Sequence, residues 1–380
     1  MTQDKQHNRP NVPPLRFSKF SGEWEKHLTT DFFEFKNGLN PDVKRFGSGT
    51  KFISVMDILN NRYITYDKII SSVEAKDDDL RDFGVNYGDI LFQRSSETLE
   101  DVGRANVYLD EKPALFGGFV IRGKRIGDYN PLFFRYLLSS PSVRKRIIVK
   151  GAGAQHFNIG QDGLSKVSLF VPSAKEQDRI AQLLNAIDKR IEVQSGLIEK
   201  LESLISGIIE RITAQSPNVR IADCLDCHSS TLQENQLNEA GGYRVYGANG
   251  ICGYTDNPGI NCDAILIVKD GSGVGNVSYA MGEYSVIGTS NYLTAKNGYS
   301  LRYLYFSLKK FNFAPYKTGM AIPHIYFKDY GKAKIYCPSL EEQERIANNL
   351  SKIERKIEIE RSIKDCCIVQ KQYLLQQMFI

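Results

Sequence analysis

The sequence predicts an α+β chain in which two similar globular regions alternate with two long helices. Three observations carry this reading: one helix is written twice, its apolar spacing is that of a coiled coil, and the stretches ahead of each copy share an order of motifs. Pro172-Ser173-Ala174-Lys175-Glu176-Gln177-Asp178-Arg179-Ile180-Ala181 returns 166 residues later as Pro338-Ser339-Leu340-Glu341-Glu342-Gln343-Glu344-Arg345-Ile346-Ala347. From Pro172 to Glu192 and from Pro338 to Glu358, 11 of 21 positions are identical, too many for chance.

Each copy opens as a helix should. Ser173 with Glu176, and Ser339 with Glu342, have capping-box spacing, and the acidic first turn suits the positive end of a helix dipole. In the first copy apolar residues then step by fours and threes: Ile180, Leu184, Ile187, Ile191, a polar Gln194, Ile198, Leu201, Ile205, Ile208 and Ile212. The second copy keeps Ile346, Leu350, Ile353 and Ile357. It then weakens through Glu360, Lys364, Cys367 and Lys371 before Leu374 and Met378 recover the phase. Two amphipathic helices covering two separate cores would show similar spacing. About 38 residues at 1.5 Å each make roughly 55 Å, more than one lobe needs, so the two helices are expected to pair with each other.

The first globular region follows a polar, Pro-rich leader, Met1 to Pro14, which lacks the apolar core of a signal peptide. Leu15-Arg16-Phe17 to Gly22-Glu23-Trp24 opens it, and Phe32, Phe33 and Phe35 lead into a turn at Gly38. Strands are expected at Lys51–Val55, Asp89–Phe92 and Phe119–Arg122, then a short buried helix at Pro131–Leu138. A basic cluster and a glycine-rich stretch, Gly151-Ala152-Gly153-Ala154-Gln155-His156, precede a strand at Val167–Val171. The second region tracks this order. Ala264–Val268 stands where Asp89 to Gln93 stood, and Leu301–Leu308 where Pro131 to Leu138 stood. Gly319-Met320-Ala321-Ile322-Pro323-His324 matches the glycine-to-histidine spacing of the first stretch, and a strand at Ala333–Cys337 feeds the second long helix. The regions match in layout and scarcely in sequence, while the helices match in sequence. A shared scaffold with divergent ends suits a reader of two different targets.

Composition narrows the class. With 380 residues, 42% hydrophobic and 24% charged, the chain has the make-up of an ordinary globular protein of two or three domains. A net charge of +5 permits a polyanionic partner without demanding one. No apolar run is long enough for a membrane span. Seven scattered cysteines, Cys262 and Cys337 inside apolar patterns, suggest reduced thiols and a cytoplasmic setting.

Taken together these motifs resemble the specificity subunit of type I restriction–modification enzymes. The resemblance covers nearly the whole chain. It rests on both Pro-Ser-x-x-Glu-Gln-x-Arg-Ile-Ala openings and the Gly22-Glu23-Trp24 entry. Tyr246-Gly247-Ala248-Asn249-Gly250-Ile251 and Asp270-Gly271-Ser272-Gly273-Val274-Gly275-Asn276 complete the set. It implies two target-recognition domains, residues 1–172 and 216–338, separated by an antiparallel two-helix coiled coil of residues 173–215 and 339–380. Each domain would read half of a split, asymmetric site in double-stranded DNA, with the helices as the ruler for the gap. Roughly 55 Å exceeds one turn of DNA, ~34 Å, so half-sites a turn apart are reachable. Partners would be two modification (methyltransferase) subunits and, through them, two restriction subunits. The chain itself would need no cofactor or metal, with S-adenosylmethionine, ATP and Mg²⁺ expected in the partners.

Candidate DNA-binding residues form two groups. Arg144, Lys145, Arg146 and Lys150 beside Gln155, His156 and Asn158 combine phosphate-neutralising charge with amides able to reach base edges. In the second region Asn249, Lys269, Lys309, Lys310, Lys317, Thr318 and His324 make a similar set among aromatic residues. The partner and coil interface is expected on Ile180, Leu184, Ile187, Ile191, Ile198, Leu201, Ile205, Ile346, Leu350, Ile353 and Ile357.

Other motifs read as structure. Gly271-x-Gly273-x-Gly275 lacks dinucleotide-loop spacing and reads as a turn. Cys224-Leu225-Asp226-Cys227-His228 has haem-attachment form, yet no second cysteine pair is spaced for zinc, so buried thiols are expected. Pro41-Asp42 with Glu74-Ala75-Lys76 only loosely imitates a metal-nuclease pattern. No Asn/Asp-Pro-Pro-Tyr/Phe string of an adenine methyltransferase occurs. The expected function is therefore non-catalytic recognition. A two-lobed nuclease or methyltransferase and a coiled-coil adaptor are the rival readings, to be separated by turnover of the chain alone and by salt-dependent DNA binding.

Overall fold

Ile90-Leu91-Phe92-Gln93 is buried at every position, which a strand tolerates only where both faces of its sheet are covered. Around it a computed structural model, describing residues 11–153 and 155–380, builds a four-stranded antiparallel sheet. Residues 1–10 of the leader and Ala154 of the glycine-rich stretch lie outside the described residues. The strands are Phe33–Asn37 (β1), Ile90–Gln93 (β2), Ala105–Val107 (β3) and Val120–Arg125 (β4), in the order β1-β4-β2-β3. A second such sheet has Leu225–Ser229 (β5), Ala264–Val268 (β6), Val277–Ala280 (β7) and Ser290–Ala295 (β8), in the order β5-β8-β6-β7. The topology is the same strand for strand, with β6 fully buried as β2 is.

A smaller sheet accompanies each. Phe46–Ile53 pairs antiparallel with Ser72–Val73 and parallel with Leu115–Phe116. Tyr243–Gly247 does the same with Gly250–Thr255 and Ser285–Val286. The strand expected at Lys51–Val55 is thus longer and ends earlier, because Asp57 accepts the Ser54 N–H at 2.7 Å and starts the helix Val55–Asn60.

Four helices frame the two lobes: Pro131–Ser139 (α1), Ala174–Thr213 (α2), Leu301–Lys309 (α3) and Leu340–Gln377 (α4). Asn130 caps α1 and Ser300 caps α3, each side-chain oxygen accepting the third helical N–H. The basic cluster after α1 is helical too, Pro141–Ile148, capped by Ser140 with proline in its first turn. Of the strand expected at Ala333–Cys337 only Lys334–Ile335 pairs, with Val219–Arg220.

The chain divides into two units, one holding residues 11–194 and Ile363–Ile380, the other Ser195–Ser362. Each unit is α+β and contains one stretch of α2 beside an oppositely directed stretch of α4. In unit 1, Ile180, Leu184 and Ile187 share a core with Cys367, Leu374, Met378 and Phe379, and with Trp24, Phe133 and Leu137. In unit 2, Ile198, Ile205 and Ile209 share one with Leu350, Ile357, Tyr303, Leu304 and Phe306. Ile191 lies at the edge of the first core; Leu201, Ile346 and Ile353 lie at the edge of the second. Direct ion pairs join the two helices, Asp188 to Lys371 at 2.6 Å and Glu202 to Arg361. The polar stretch of the second copy is therefore no weakening. Lys371 lies on the phase in order to meet a buried carboxylate.

Candidate functional site

The same hairpin is built in both units. Ala152 and Asn158 exchange backbone hydrogen bonds at 2.9 and 2.8 Å, and Thr318 and His324 exchange theirs at the same distances. Each residue of the second pair stands 166 residues after its counterpart, the offset of the long helices. The stalk is bonded alike: Ile159 N–H donates to the Arg94 carbonyl at 3.0 Å, and Ile325 N–H to the Lys269 carbonyl at 2.9 Å. Asn158 lies opposite Ser95, and His324 opposite Asp270.

This register corrects one expectation. Glycine-to-histidine spacing matched His156 with His324, but the hairpin bonds place Asn158 where His324 stands and Ile322 where His156 stands. The matching glycines are Gly153 and Gly319, both with positive φ, 141° and 86°. Counting from Gly151 shifted the match by two.

The loop leaving each central strand returns through a left-handed glycine. Gly103 N–H donates to Gln93 and Gly275 N–H to Val268, both at 2.9 Å. A Cβ on Gly103 would lie 2.5 Å from the Ile147 side chain, so any other residue would push Ile147 aside and strain a backbone held at φ 68°. Arg144 closes this loop in unit 1, its guanidinium donating to the carbonyls of Glu100, Val102 and Gly103 at 2.7–2.9 Å. Burial, followed by repulsion from Arg104, pulls its pKa down to about 10. Arg146 is likewise engaged, donating to the Ser168 carbonyl at 3.2 Å and lying over the Phe170 ring, and burial lowers its pKa. Those two arginines hold the fold. Lys145, Lys150, Gln155, His156 and Asn158 are exposed, with Asn158 accepting from the Ser95 hydroxyl.

The second group divides in two. Lys269, Lys317, Thr318 and His324 gather at the hairpin, where Gly271 N–H also donates to the Pro323 carbonyl at 3.0 Å. Asn249 stands apart in sequence, in the turn between Tyr243–Gly247 and Gly250–Thr255, and its neighbour Ala248 lies near Gly273 of the Gly271–Gly275 loop. Lys309 and Lys310 do not. Lys309 pairs with Glu354 at 3.1 Å and Lys310 with Glu210 at 3.2 Å, fastening the end of α3 to the long helices. They line a cleft of about 760 Å³ with Arg302, Tyr305 and Arg361. A charge run read along the sequence cannot tell a lysine facing solvent from one facing a carboxylate.

Sequence reasoning missed Arg94, the first residue after buried β2, whose position Lys269 holds after β6. A cation directly after each buried strand was the signal available. It also missed Met320 and Ile322, both exposed at the second hairpin tip.

The other motifs are structural. Cys224 is buried and Cys227 half-buried, and His228 stacks on Tyr292 with its Nε2 3.0 Å from the Thr294 hydroxyl. Cys337 is buried as expected, whereas Cys262 is exposed in the turn before β6. Around the nuclease-like string Arg45 pairs with Asp79 and bonds the Glu74 carbonyl at 2.6 and 2.9 Å. Among the described residues no three His, Cys, Asp or Glu side chains are grouped to hold a metal, and no helix is long and apolar enough to cross a membrane.

A family model described as type I restriction modification DNA specificity domain matches residues 21–203 and 218–365. The chain belongs to this family. The specificity subunit of the type I restriction enzyme EcoKI from Escherichia coli (strain K12) is 26% identical over 183 residues, covering 47% of this chain and 37% of that one. A putative type I MjaX specificity subunit from Methanocaldococcus jannaschii is 23% identical over 208 residues, covering 53% and 48%. The match thus spans less than half the length of either named relative. In fold, the S subunit of a type I restriction–modification system from M. genitalium superposes with a TM-score of 0.69 at 19% identity, over 97% of this chain and 99% of that one. A chain from a type I system solved for its assembly and conformational transition gives 0.54 at 14%, over 93% and 96%.

Proposed function

We propose that this chain is the non-catalytic, sequence-reading subunit of a type I restriction–modification complex acting in the cytoplasm. Residues 1–172 and 216–338 each read one half of a bipartite, asymmetric site in double-stranded DNA. The helices of 173–215 and 339–380 set the number of base pairs skipped between the halves, and they offer docking faces to two methyltransferase subunits. Restriction subunits join through those. Base flipping and methyl transfer belong to the partners.

One observation carries the reading: the same stalk, bonded by the same backbone atoms, presents Gln155 and His156 in one unit where the other has Ala321 and Ile322, with Met320 beside them. Cations flank both stalks, Lys150 at the first and Lys269 and Lys317 at the second, while the Arg94 guanidinium donates to the Gly118 carbonyl at 3.3 Å. Phosphate contacts position a reader while side chains at base edges discriminate, and cations beside unlike tips support that division of labour.

The test is to co-express the chain with its methyltransferase subunit and sequence the methylated adenines. Two unlike half-sites with a fixed gap are expected. Exchanging residues 1–172 for those of another family member should change one half only, and a heptad inserted in α2 should change the gap. Turnover by the chain alone with Mg²⁺ or S-adenosylmethionine, or DNA binding indifferent to salt, would defeat the reading.

A further inference from the structure

Met320 and Ile322 stand in water at the tip of the second hairpin, Met320 fully exposed and Ile322 66% exposed. Neither belongs to a core, so folding does not ask for them. Beneath them the stalk is firmly tied. Thr318 and His324 exchange both backbone bonds, Gly271 N–H donates to Pro323, and Ile325 N–H to Lys269. The turn is tight as well: a Cβ on Gly319 would lie 2.3 Å from the Ile322 carbonyl. Two apolar side chains are thus presented on a fixed backbone between Lys317, at the foot of the hairpin, and Lys269, on the strand that holds it. The counterpart tip in unit 1 carries the polar Gln155 and His156.

We propose that Met320 and Ile322 recognise thymine through its C5-methyl group in the major groove of the half-site read by unit 2. This rests on the DNA-reading function proposed above and names what one of its tips reads. Thymine alone among the bases offers a methyl on the major-groove edge, and an apolar side chain is the group that detects it. The lysines beside the tip decide the occupant. A hydrophobic peptide would leave Lys269 and Lys317 unused, whereas flanking phosphates take both. An amide and an imidazole, as in Gln155 and His156, instead suit the hydrogen-bonding edges of purines, so the unit 1 half-site is indifferent to methyl groups.

The experiment uses the complex of the full chain with its methyltransferase subunits, and duplexes of the recognised sequence in which each thymine is replaced in turn by uracil. Loss of one methyl contact weakens binding by about fourfold, at one or two positions within a single half-site. The variant Met320→Ala/Ile322→Ala binds the thymine and uracil duplexes equally, while His156→Ala keeps the discrimination. No responding thymine in either half-site, or a tip variant that still discriminates, overturns the assignment. So does a variant that loses affinity equally for both duplexes while the bound DNA straightens by energy transfer, since the tip would then be a wedge between base steps. A wild-type complex with no sequence selectivity defeats the DNA-reading function itself, before any substitution is made.

Discussion

Ser300 donates its backbone N–H to Gln343 Oε1 at 3.0 Å, so the residue that caps α3 is itself held by the first turns of α4. The same amide reaches back through Nε2 to the Pro338 carbonyl at 2.8 Å. Gln177 repeats both bonds in unit 1, with the Asn130 N–H and the Pro172 carbonyl, each at 3.0 Å. The glutamine of the duplicated motif is therefore a clip between a lobe and a long helix, 1% exposed in one unit and 4% in the other. Replacing Gln343 with Ala strands a half-buried N–H and a half-buried carbonyl, at a cost of about 1–3 kcal/mol. Hydrogen exchange reports each unit separately. The α3 amides of Gln343→Ala should exchange roughly five- to a hundredfold faster while those of α1 stay unchanged; a change in both would contradict the clip.

The basic cluster of unit 1 separates into fold and function by substitution. Arg144→Gln loses charge-assisted bonds to three carbonyls and should cost at least about 2 kcal/mol of stability. Lys145→Ala and Lys150→Ala, at exposed positions, should stay within about 0.5 kcal/mol. In DNA titrations with the partner subunits, each lysine that meets a phosphate should lower the salt slope by about 0.9. Equal effects of Arg144 and Lys150 on stability would overturn this division.

The features legible in the sequence are those set by local physics. The repeat, the starts of both long helices, β2 and β6, and helices α1 and α3 all rest on periodicity and signals within a few residues. Of the two expected capping boxes, however, only Ser339 accepts a helical N–H, from Glu342 at 3.4 Å, while Glu176 turns to Arg16 and Glu342 to Arg345. The hairpins were harder. Ala152 and Asn158 are paired by backbone bonds that no side-chain pattern records, so glycine spacing misaligned His156. The heptad seam points to Ile208 and not Ile209 because it assumes one partner helix. In unit 2, α2 also faces α3 and its sheet, and this turns Ile209 inward while Ile208 sits at the core's edge. Arg144 looked like a phosphate ligand because nothing in its neighbours along the chain shows the three carbonyls folded over it.

Acid should weaken unit 1 through Asp79. Burial raises the pKa of this carboxyl, but the Lys76 N–H and the Arg45 guanidinium outweigh it and leave it below the usual range. The folded state then binds fewer protons than the unfolded one near and below about pH 4, so stability rises with pH across that window. The contribution is present above the unfolded value and lost as pH falls through the lowered one. Asp79→Asn should be less stable than wild type at pH 6, with the gap closing towards pH 2. The chain's one tryptophan, Trp24, is buried in unit 1, and its fluorescence during urea unfolding measures this. A gap that widens in acid would reverse the sign.

Asp188 gathers more partners than any other carboxylate along α2. Its oxygens take the Tyr136 hydroxyl at 2.7 Å, Arg135 at 3.3 Å and Lys371 of α4 at 2.6 Å, with the side chain 6% exposed. Glu354 on α4 stands 166 residues later and takes Arg302, Tyr305 and Lys309 of unit 2, so each long helix carries one such acid against its lobe. Asp188→Ala leaves two cations and a hydroxyl without their acceptor and should cost about 3–5 kcal/mol. Trp24 packs on Phe133 of α1 and on Phe379 just beyond α4, so its fluorescence follows the docking of both. If the loss comes from stranded charge and not from a cavity, removing a stranded cation should return part of it. The double variant Asp188→Ala/Lys371→Met should then be more stable than Asp188→Ala alone, whereas additive losses in the cycle would show that the ion pair contributes nothing to holding α2 against α4.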